Sequence, residues 1–335
     1  MQDTFGHQIS YLRLSITDRC NERCHYCMPE ELQTWLPRAD LLTYEEILRT
    51  VRAGASLGIR KLRVTGGEPL TRRDVIPFIA QLKAIPGIDD IGLSTNGTLL
   101  ADLKGDGRTT AAHLRDAGVR TVNISLDTLD PAAYAAVTGR DFHHKVLAGI
   151  DACHAAGFEQ IKLNCVLMKA AHNDPDALPA LLDFAHQQGC LLRFIELMPV
   201  TSRELLEDSS FLPTATARRL IEARTGPLIP RPGYKTNGPA SYYEVPGHDQ
   251  LVGFIGAMTN LHFCESCNKL RLTSDGKLRP CLGSHLEFDL RQVLRDGSDD
   301  EALKNFFLSV VARKPKEHDF RTTYLPGRHM TAIGG

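Results

Sequence analysis

Between residues 10 and 200 the chain repeats one pattern six times: a short, nearly continuous apolar run, then a longer amphipathic stretch. Strands joined through helices run parallel, with right-handed crossovers, and bury both faces. The strands expected are Tyr11–Ile16, Lys61–Thr65, Ile91–Thr95, Thr121–Leu126, Ile161–Leu167 and Leu191–Leu197. Thr43 and Glu46 spell a capping box at a helix start, and Thr71 and Asp74 a shorter version of it. Val146, Leu147 and Ile150 recur at helical spacing after Phe142. Six strand–helix units fall short of the eight that close a barrel. The expected fold is therefore α/β, an incomplete (βα)6 TIM-like barrel. After Pro199 the rhythm gives way to Pro- and Gly-dense sequence, notably Gly226–Gly247. This predicts a barrel domain over 1–200 and a smaller, loop-rich C-terminal domain over 201–335.

The formal net charge is −1, so no long-range field draws in nucleic acid or an anionic membrane. No apolar run approaches the ~20 residues that cross a bilayer, and the N-terminus lacks the pattern of a secretory signal. A cytoplasmic protein is expected. Nine cysteines is an odd number, and six of them fall in two tight groups. In a reducing compartment, clustered thiols point to metal rather than to disulfides.

Cys20, Cys24 and Cys27 form C-x3-C-x2-C directly after the first strand. Three thiolates can hold a [4Fe–4S] cluster, which normally takes four, and leave one iron open to a ligand. A zinc site completed by His25, or three unrelated thiols, are the competing readings, although zinc favours C-x2-C pairs. The motif, with Tyr26 as its aromatic, resembles the signature of the radical S-adenosylmethionine superfamily. Thr65 to Pro69, T-G-G-E-P at the end of the second strand, resembles that superfamily's loop at the methionine amino group. The resemblance implies that S-adenosylmethionine chelates the open iron and is cut to a 5′-deoxyadenosyl radical.

Cys264, Cys267 and Cys281 form C-x2-C-x13-C. Alone, this spacing fits structural zinc with His262 or His285 about as well as a cluster. The segment between them resembles the C-terminal cluster segment of the GTP 3′,8-cyclase family, as does the chain in D-R-C-N-E-R-C-H-Y-C-M-P, T-G-G-E-P-L-T-R-R-D, N-I-S-L-D, R-F-I-E-L-M-P and the final Ile-Gly-Gly. Residues 101–112 fit less well. That likeness implies two [4Fe–4S] clusters, the second binding the purine of GTP. Cys153, Cys165 and Cys190 lie in apolar settings and read as structural.

The expected strands carry cations where parallel strands are usually apolar: Arg13, Lys61, Arg63, Lys162 and Arg193. On a helix-covered face each would be buried unpaired, at several kcal/mol. They are expected to face the lumen, where an incomplete barrel has room for a polyanion. Pairing with Glu68, Asp127 and Glu196 is the plainer alternative.

Residue by residue, the resemblance places Arg13, Arg63, Ser94, Lys162, Lys269, Leu270 and Arg271 at GTP, with Lys61 and Arg193 near the triphosphate. It places Tyr26, Gly67, Ser125 and Met198 at S-adenosylmethionine, and inserts Gly334 and Gly335 into the active site. It implies hydrogen abstraction at C3′ of GTP and attack on C8, giving 3′,8-cyclo-7,8-dihydro-GTP in molybdenum cofactor biosynthesis. It also implies a reductant protein and a recipient enzyme, cyclic pyranopterin monophosphate synthase; a homodimer is compatible with the sequence. A two-cluster peptide maturase would not need inward cations. An electron carrier would close each cluster with a fourth cysteine. A zinc-binding interaction module is the third rival.

Overall fold

In the computed structural model, which describes residues 1–28, 35–201, 210–322, 324 and 327–334, each expected strand forms within one residue of its bounds. They are β1 (Tyr11–Ser15), β2 (Lys61–Thr65), β3 (Asp90–Thr95), β4 (Thr121–Ser125), β5 (Gln160–Leu167) and β6 (Leu191–Glu196). All five pairings between successive strands are parallel. The connecting helices are α1 (Tyr44–Ser56), α2 (Val75–Lys83), α3 (Thr110–Asp116), α4 (Pro131–Thr138), α5 (His143–Ala155) and α6 (Ala177–Gln187). Strand side chains alternate between faces. Leu12, Leu14, Leu62, Val64, Leu93, Val122, Ile124 and Leu163 are almost fully buried and belong to the main apolar core. Each such side chain contributes roughly 1.5–3 kcal/mol through burial. The alternate positions carry Tyr11, Arg13, Arg63 and Lys162, which line a cavity.

Side-chain caps open α1, α3 and α4, and also the later helices Leu290–Arg295 and Asp300–Ala312. Thr43 accepts from the Glu46 amide while the Glu46 carboxylate accepts from the Thr43 amide, the reciprocal cap expected of α1. The second expected cap does not form. Thr71 instead donates to the Glu68 carbonyl in a short 3-10 turn, Pro69–Thr71. Asp74 enters α2 at φ 58° with no side-chain cap. Glu68 takes over the capping role by accepting from the Leu70 amide at 3.0 Å.

Beyond β6 the chain forms α7 (Thr214–Thr225), β7 (Ile229–Pro230), β8 (Ser241–Glu244), β9 (Leu251–Ile255), β10 (Lys269–Leu272), β11 (Lys277–Arg279) and β12 (Phe288–Asp289). Three helices follow: α8 (Leu290–Arg295), α9 (Asp300–Ala312) and α10 (Met330–Ile333). These strands join the barrel sheet at both edges. β9 runs parallel to β6, and β10 runs parallel to β1. The order is β12-β11-β10-β1-β2-β3-β4-β5-β6-β9-β8-β7, an open curved sheet with β10 and β9 flanking the six βα strands. Among the described residues, no helix is long and apolar enough to cross a membrane.

Candidate active site

The first cysteine loop leaves β1 and is pinned to the end of α4. The Arg23 and His25 amides donate to the carbonyls of Thr138 and Val137, at 2.7 and 3.3 Å. A turn closes when the Cys27 and Met28 amides both donate to the Cys24 carbonyl. Glu22 accepts from the Tyr134 hydroxyl, and the Tyr26 hydroxyl donates to Asp127 Oδ2 at 2.9 Å. The loop therefore has a fixed shape set by groups other than its thiols. Gly66 and Gly67 let β2 end against it: a Cβ at Gly67 would stand 2.4 Å from the Arg19 carbonyl oxygen. Cys20, Cys24 and Cys27 border a cavity of about 120 Å³ with Tyr26, Gly67 and Ser125.

The second group sits on the β10–β11 hairpin. Cys264 and Cys267 share a turn just before β10, with the Cys267 amide donating to the Cys264 carbonyl at 3.0 Å. Cys281 follows β11. The buried Lys314 ammonium ties the hairpin together, donating to the carbonyls of Pro280 at 2.5 Å and Lys269 at 3.3 Å. All three thiols border a larger cavity of about 260 Å³.

The thiol sets fit iron–sulfur clusters better than zinc. Each triplet faces one cavity, and neither cavity lining includes a fourth cysteine. The histidines that could complete a zinc site are engaged elsewhere. His25 Nδ1 is 3.2 Å from the Val137 carbonyl, exposed His262 bonds Glu265, and His285 stacks on Tyr324. Among the described residues, no three His, Cys, Asp or Glu side chains converge as a single ion requires. Thiolates on separate irons need no such convergence.

The two thiol sets differ electrostatically. Burial and then the Glu68 carboxyl push Cys20 up to about 12, and burial also raises Cys24 and Cys27. Burial likewise pushes Glu22 and Glu68 up to about 7, which limits negative charge beside these thiols. At Cys267, burial is outweighed by Lys314 and Lys269, and the thiol falls below its ordinary value. Burial pushes Cys281 up to about 11, partly opposed by Lys314.

Between the thiol sets the lumen is lined with cations. Arg271, Arg13 and Arg63 stand in register on β10, β1 and β2, and Gly92 continues the row on β3. The Arg63 guanidinium lies over Gly92, where a Cβ would be 2.3 Å from Cζ. It donates to the Tyr11 hydroxyl at 3.1 Å, to the carbonyls of Leu93 and Thr121, and to the Thr121 hydroxyl. On the other flank Arg193 donates twice to Asn164 Oδ1 and packs over Gly253 of β9. None of Arg63, Lys162, Arg193, Lys269 and Arg271 forms an ion pair among the described residues. The candidate counter-ions are occupied by neutral donors. Glu68 accepts from Thr95 and from the Asn96 and Leu70 amides. Glu196 accepts from Thr214, Thr259 and two amides near β9, and Asp127 from Tyr26 and the Val166 amide.

This unneutralised charge perturbs its own members. Burial, then Arg193 and Arg63, push Lys162 down to about 7. Burial and Arg13 push Arg271 down to about 9. Burial would raise the Tyr11 phenol, but Arg63 and Arg13 bring it down to about 8.

Arg13, Arg63, Ser94, Lys162, Arg193, Lys269 and Arg271 line the larger cavity, as does Met198. Lys61 does not; its ammonium donates to Asn237. Leu270 turns its side chain into the apolar core. Ser94, Ser125 and Met330 border both cavities, which connects the two thiol sets through one space. The C-terminal segment reaches this space. The Gly334 carbonyl accepts from Arg271 Nη1 at 2.6 Å, and a Cβ at Gly334 would stand 2.8 Å from Ser15 Cβ. Gly335 lies outside the described residues.

Sequence reading missed Asn123, Asn164, Asn237 and Tyr11, all in the lining. Asn123 and Asn164 carried a usable signal, a polar side chain inside an apolar strand on the same alternation as Lys162. Asn237 sits in a Pro- and Gly-rich loop and carried none.

Residues 14–177 match the Radical SAM superfamily, and residues 190–320 match the family described as Molybdenum Cofactor Synthesis C. Over 335 residues, all of both chains, the sequence is 41% identical to GTP 3′,8-cyclase of Pelotomaculum thermopropionicum. It is 42% identical to that of Thermodesulfovibrio yellowstonii over 336 residues, again covering both chains completely. Among solved structures, S-adenosylmethionine-bound SuiB of Streptococcus suis is similar in fold, with TM-score 0.60 at 16% identity over 90% of this chain and 68% of that one. Native anSMEcpe with bound AdoMet gives 0.60 at 16% identity, over 93% and 82%. With full-length identity above 40% to such relatives, and with both halves matched in order, the chain belongs to the GTP 3′,8-cyclase family of the radical S-adenosylmethionine superfamily.

Proposed function

We propose that this enzyme cyclises GTP to 3′,8-cyclo-7,8-dihydro-GTP, using S-adenosylmethionine and two [4Fe–4S] clusters, at the start of molybdenum cofactor biosynthesis. One observation carries the reading: two adjoining cavities, each bordered by one thiol triplet, share Ser94, Ser125 and Met330, and the larger holds cations that form no ion pair among the described residues. A neutral or peptidic substrate gives no reason to leave them unneutralised, whereas a nucleoside triphosphate does.

Cys20, Cys24 and Cys27 would hold one cluster, and Cys264, Cys267 and Cys281 the other. When bound, the first cluster and S-adenosylmethionine supply the one-electron chemistry that removes hydrogen from the ribose. Tyr26, Gly67, Ser125 and Met198 would seat S-adenosylmethionine beside the first thiol set. Arg13, Arg63, Lys162, Arg193, Lys269 and Arg271 would bind the phosphates and fix the ribose between the two sets, with Ser94 at the junction. Orientation is the protein's main contribution, since the bond-forming partners lie within one nucleotide. Leu270 can offer only its backbone, and Lys61 acts from the edge of the cavity. The Gly334 carbonyl on Arg271 supports a role for the tail, Gly335 included, in orienting the nucleotide. The setting we propose is the cytoplasm, with a reductant protein supplying electrons, the next pathway enzyme receiving the product and a homodimer as the assembly.

The test is anaerobic product analysis with GTP, S-adenosylmethionine and dithionite. We expect 5′-deoxyadenosine and the cyclised nucleotide in step. Cleavage of S-adenosylmethionine that ignores GTP and yields no cyclised nucleotide would refute the reading.

A further inference from the structure

Lys61 and Asp90 face each other in register on β2 and β3. Opposite charges so placed ordinarily close into a direct pair across the strands. Here the Asn237 amide stands between them. Its Oδ1 accepts from Lys61 Nζ at 2.5 Å, and its Nδ2 donates to Asp90 Oδ2 at 2.6 Å. The other carboxylate oxygen, Asp90 Oδ1, is buried and has no hydrogen-bond partner among the described residues. An open acceptor thus waits beside a cation that a neutral side chain holds away from it.

Asn237 lies in the loop between β7 and β8 and lines the larger cavity with Gly238 and Pro239. A Cβ at Gly238 would be 3.5 Å from Arg193 Nη1, so the loop approaches the cation set closely. The loop has anchors of its own. Thr236 bonds the Tyr242 hydroxyl at 3.0 Å, and Gln160 donates to Tyr234 at 3.3 Å.

We propose that Asn237 is a positioning residue that holds Lys61 off Asp90, keeping its ammonium available to the phosphate end of the substrate. The proposal rests on the reading of the cavity as a nucleoside triphosphate site. Without the amide, the Lys61 stem can reach a carboxylate one strand away, about 5 Å across. The direct pair would then remove one cation from the phosphate end. Ligands should lose affinity according to how many phosphates they carry.

The experiment is equilibrium binding of GTP and GMP to anaerobically reconstituted enzyme. Asn237→Ala should weaken GTP about tenfold or more, the effect of one lost charge-assisted bond, and change GMP less than twofold. Adding Asp90→Asn to that variant removes the competing charge and, read at pH 6 so that Lys162 stays charged without Asp90 beside it, should restore most of the GTP affinity. If Asn237 only supports the loop, both nucleotides would weaken together and the double variant would stay as weak as the single one; either result overturns the proposal. A wild-type enzyme that bound GMP as tightly as GTP would instead overturn the reading of the cavity.

Discussion

Affinity for GTP should fall about tenfold for each pH unit above 7, because Lys162 then meets its ligand as a neutral amine. Burial, then Arg193 and Arg63, bring this lysine from 10.5 to about 7, with Asp90 opposing only in part. A bound polyanion favours the ammonium, so the complex keeps the proton that the free enzyme has lost. Well above pH 7 binding therefore takes up about one proton, and from pH 7, where half of the lysine is already neutral, to pH 8.5 the affinity should drop about fifteenfold. Tyr11, brought down to about 8, adds negative charge at the alkaline end and keeps the slope from flattening. Folding carries the same signature. Between pH 7 and 10.5 the unfolded chain holds a Lys162 proton that the folded enzyme lacks, so this lysine's own contribution to stability should rise with pH across that window, until above about 9 the raised thiols oppose it. Calorimetric titration in two buffers of different ionisation enthalpy counts the proton directly. Lys162→Met should abolish the uptake and weaken binding at pH 6.5 by about 1.5–3 kcal/mol. Constant affinity between pH 6.5 and 8.5, without proton uptake, would show that the cations are neutralised by something other than the substrate.

Cys24→Ala should abolish 5′-deoxyadenosine formation, whereas Cys267→Ala should keep some uncoupled cleavage while losing cyclisation; retained cleavage in the first variant would contradict its role. Gly92→Ala places a Cβ on the Arg63 guanidinium and should cost about 2 kcal/mol or more in denaturant unfolding as its hydrogen bonds break. A change under about 0.5 kcal/mol, the size of an ordinary surface substitution, would mean that Arg63 is free to move aside. Deleting Gly334 and Gly335 should leave iron content and S-adenosylmethionine binding intact while cyclised product disappears, and normal turnover would return the tail to a passive end.

The six strands were legible because each is a mainly apolar run, and in β1, β2, β4 and β5 the polar residues keep to one alternation. Arg13 between Leu12 and Leu14 shows both the strand and the face in three residues. The capping box at Thr43 was equally local. The expected cap at Thr71 failed because Pro69 favours a 3-10 turn and Glu68, rather than Thr71, reaches the free amides. β9 and β10 were hidden for a different reason. Their parallel partners, β6 and β1, lie far away in sequence, and no βα periodicity announces such a pairing. The cysteine groups stood out by spacing alone, whereas their connection through Ser94, Ser125 and Met330 depends on how three distant segments meet. Lys61 looked like its neighbour Arg63 in sequence, and only the distant Asn237 separates their roles.

The arrangement of charge argues that the empty enzyme is not the state the sequence favours most. Desolvating a cation costs several kcal/mol unless a counter-ion answers it. Counter-ions are at hand in Glu68, Asp127 and Glu196, yet hydroxyls and amides engage all three. Gly92 and Gly253 leave the space in which Arg63 and Arg193 pack against the sheet, with no ion pair to either among the described residues. The large apolar core between sheet and helices must therefore offset a repulsion built into the lumen. A ligand that brings the missing negative charge removes that repulsion as it binds. Its stabilisation, RT ln(1 + [L]/Kd), then includes energy the free enzyme had stored against itself. On this reasoning GTP should raise the melting temperature far more than guanosine at equal concentration, since the two share a base and ribose and differ only in the charge the cavity lacks.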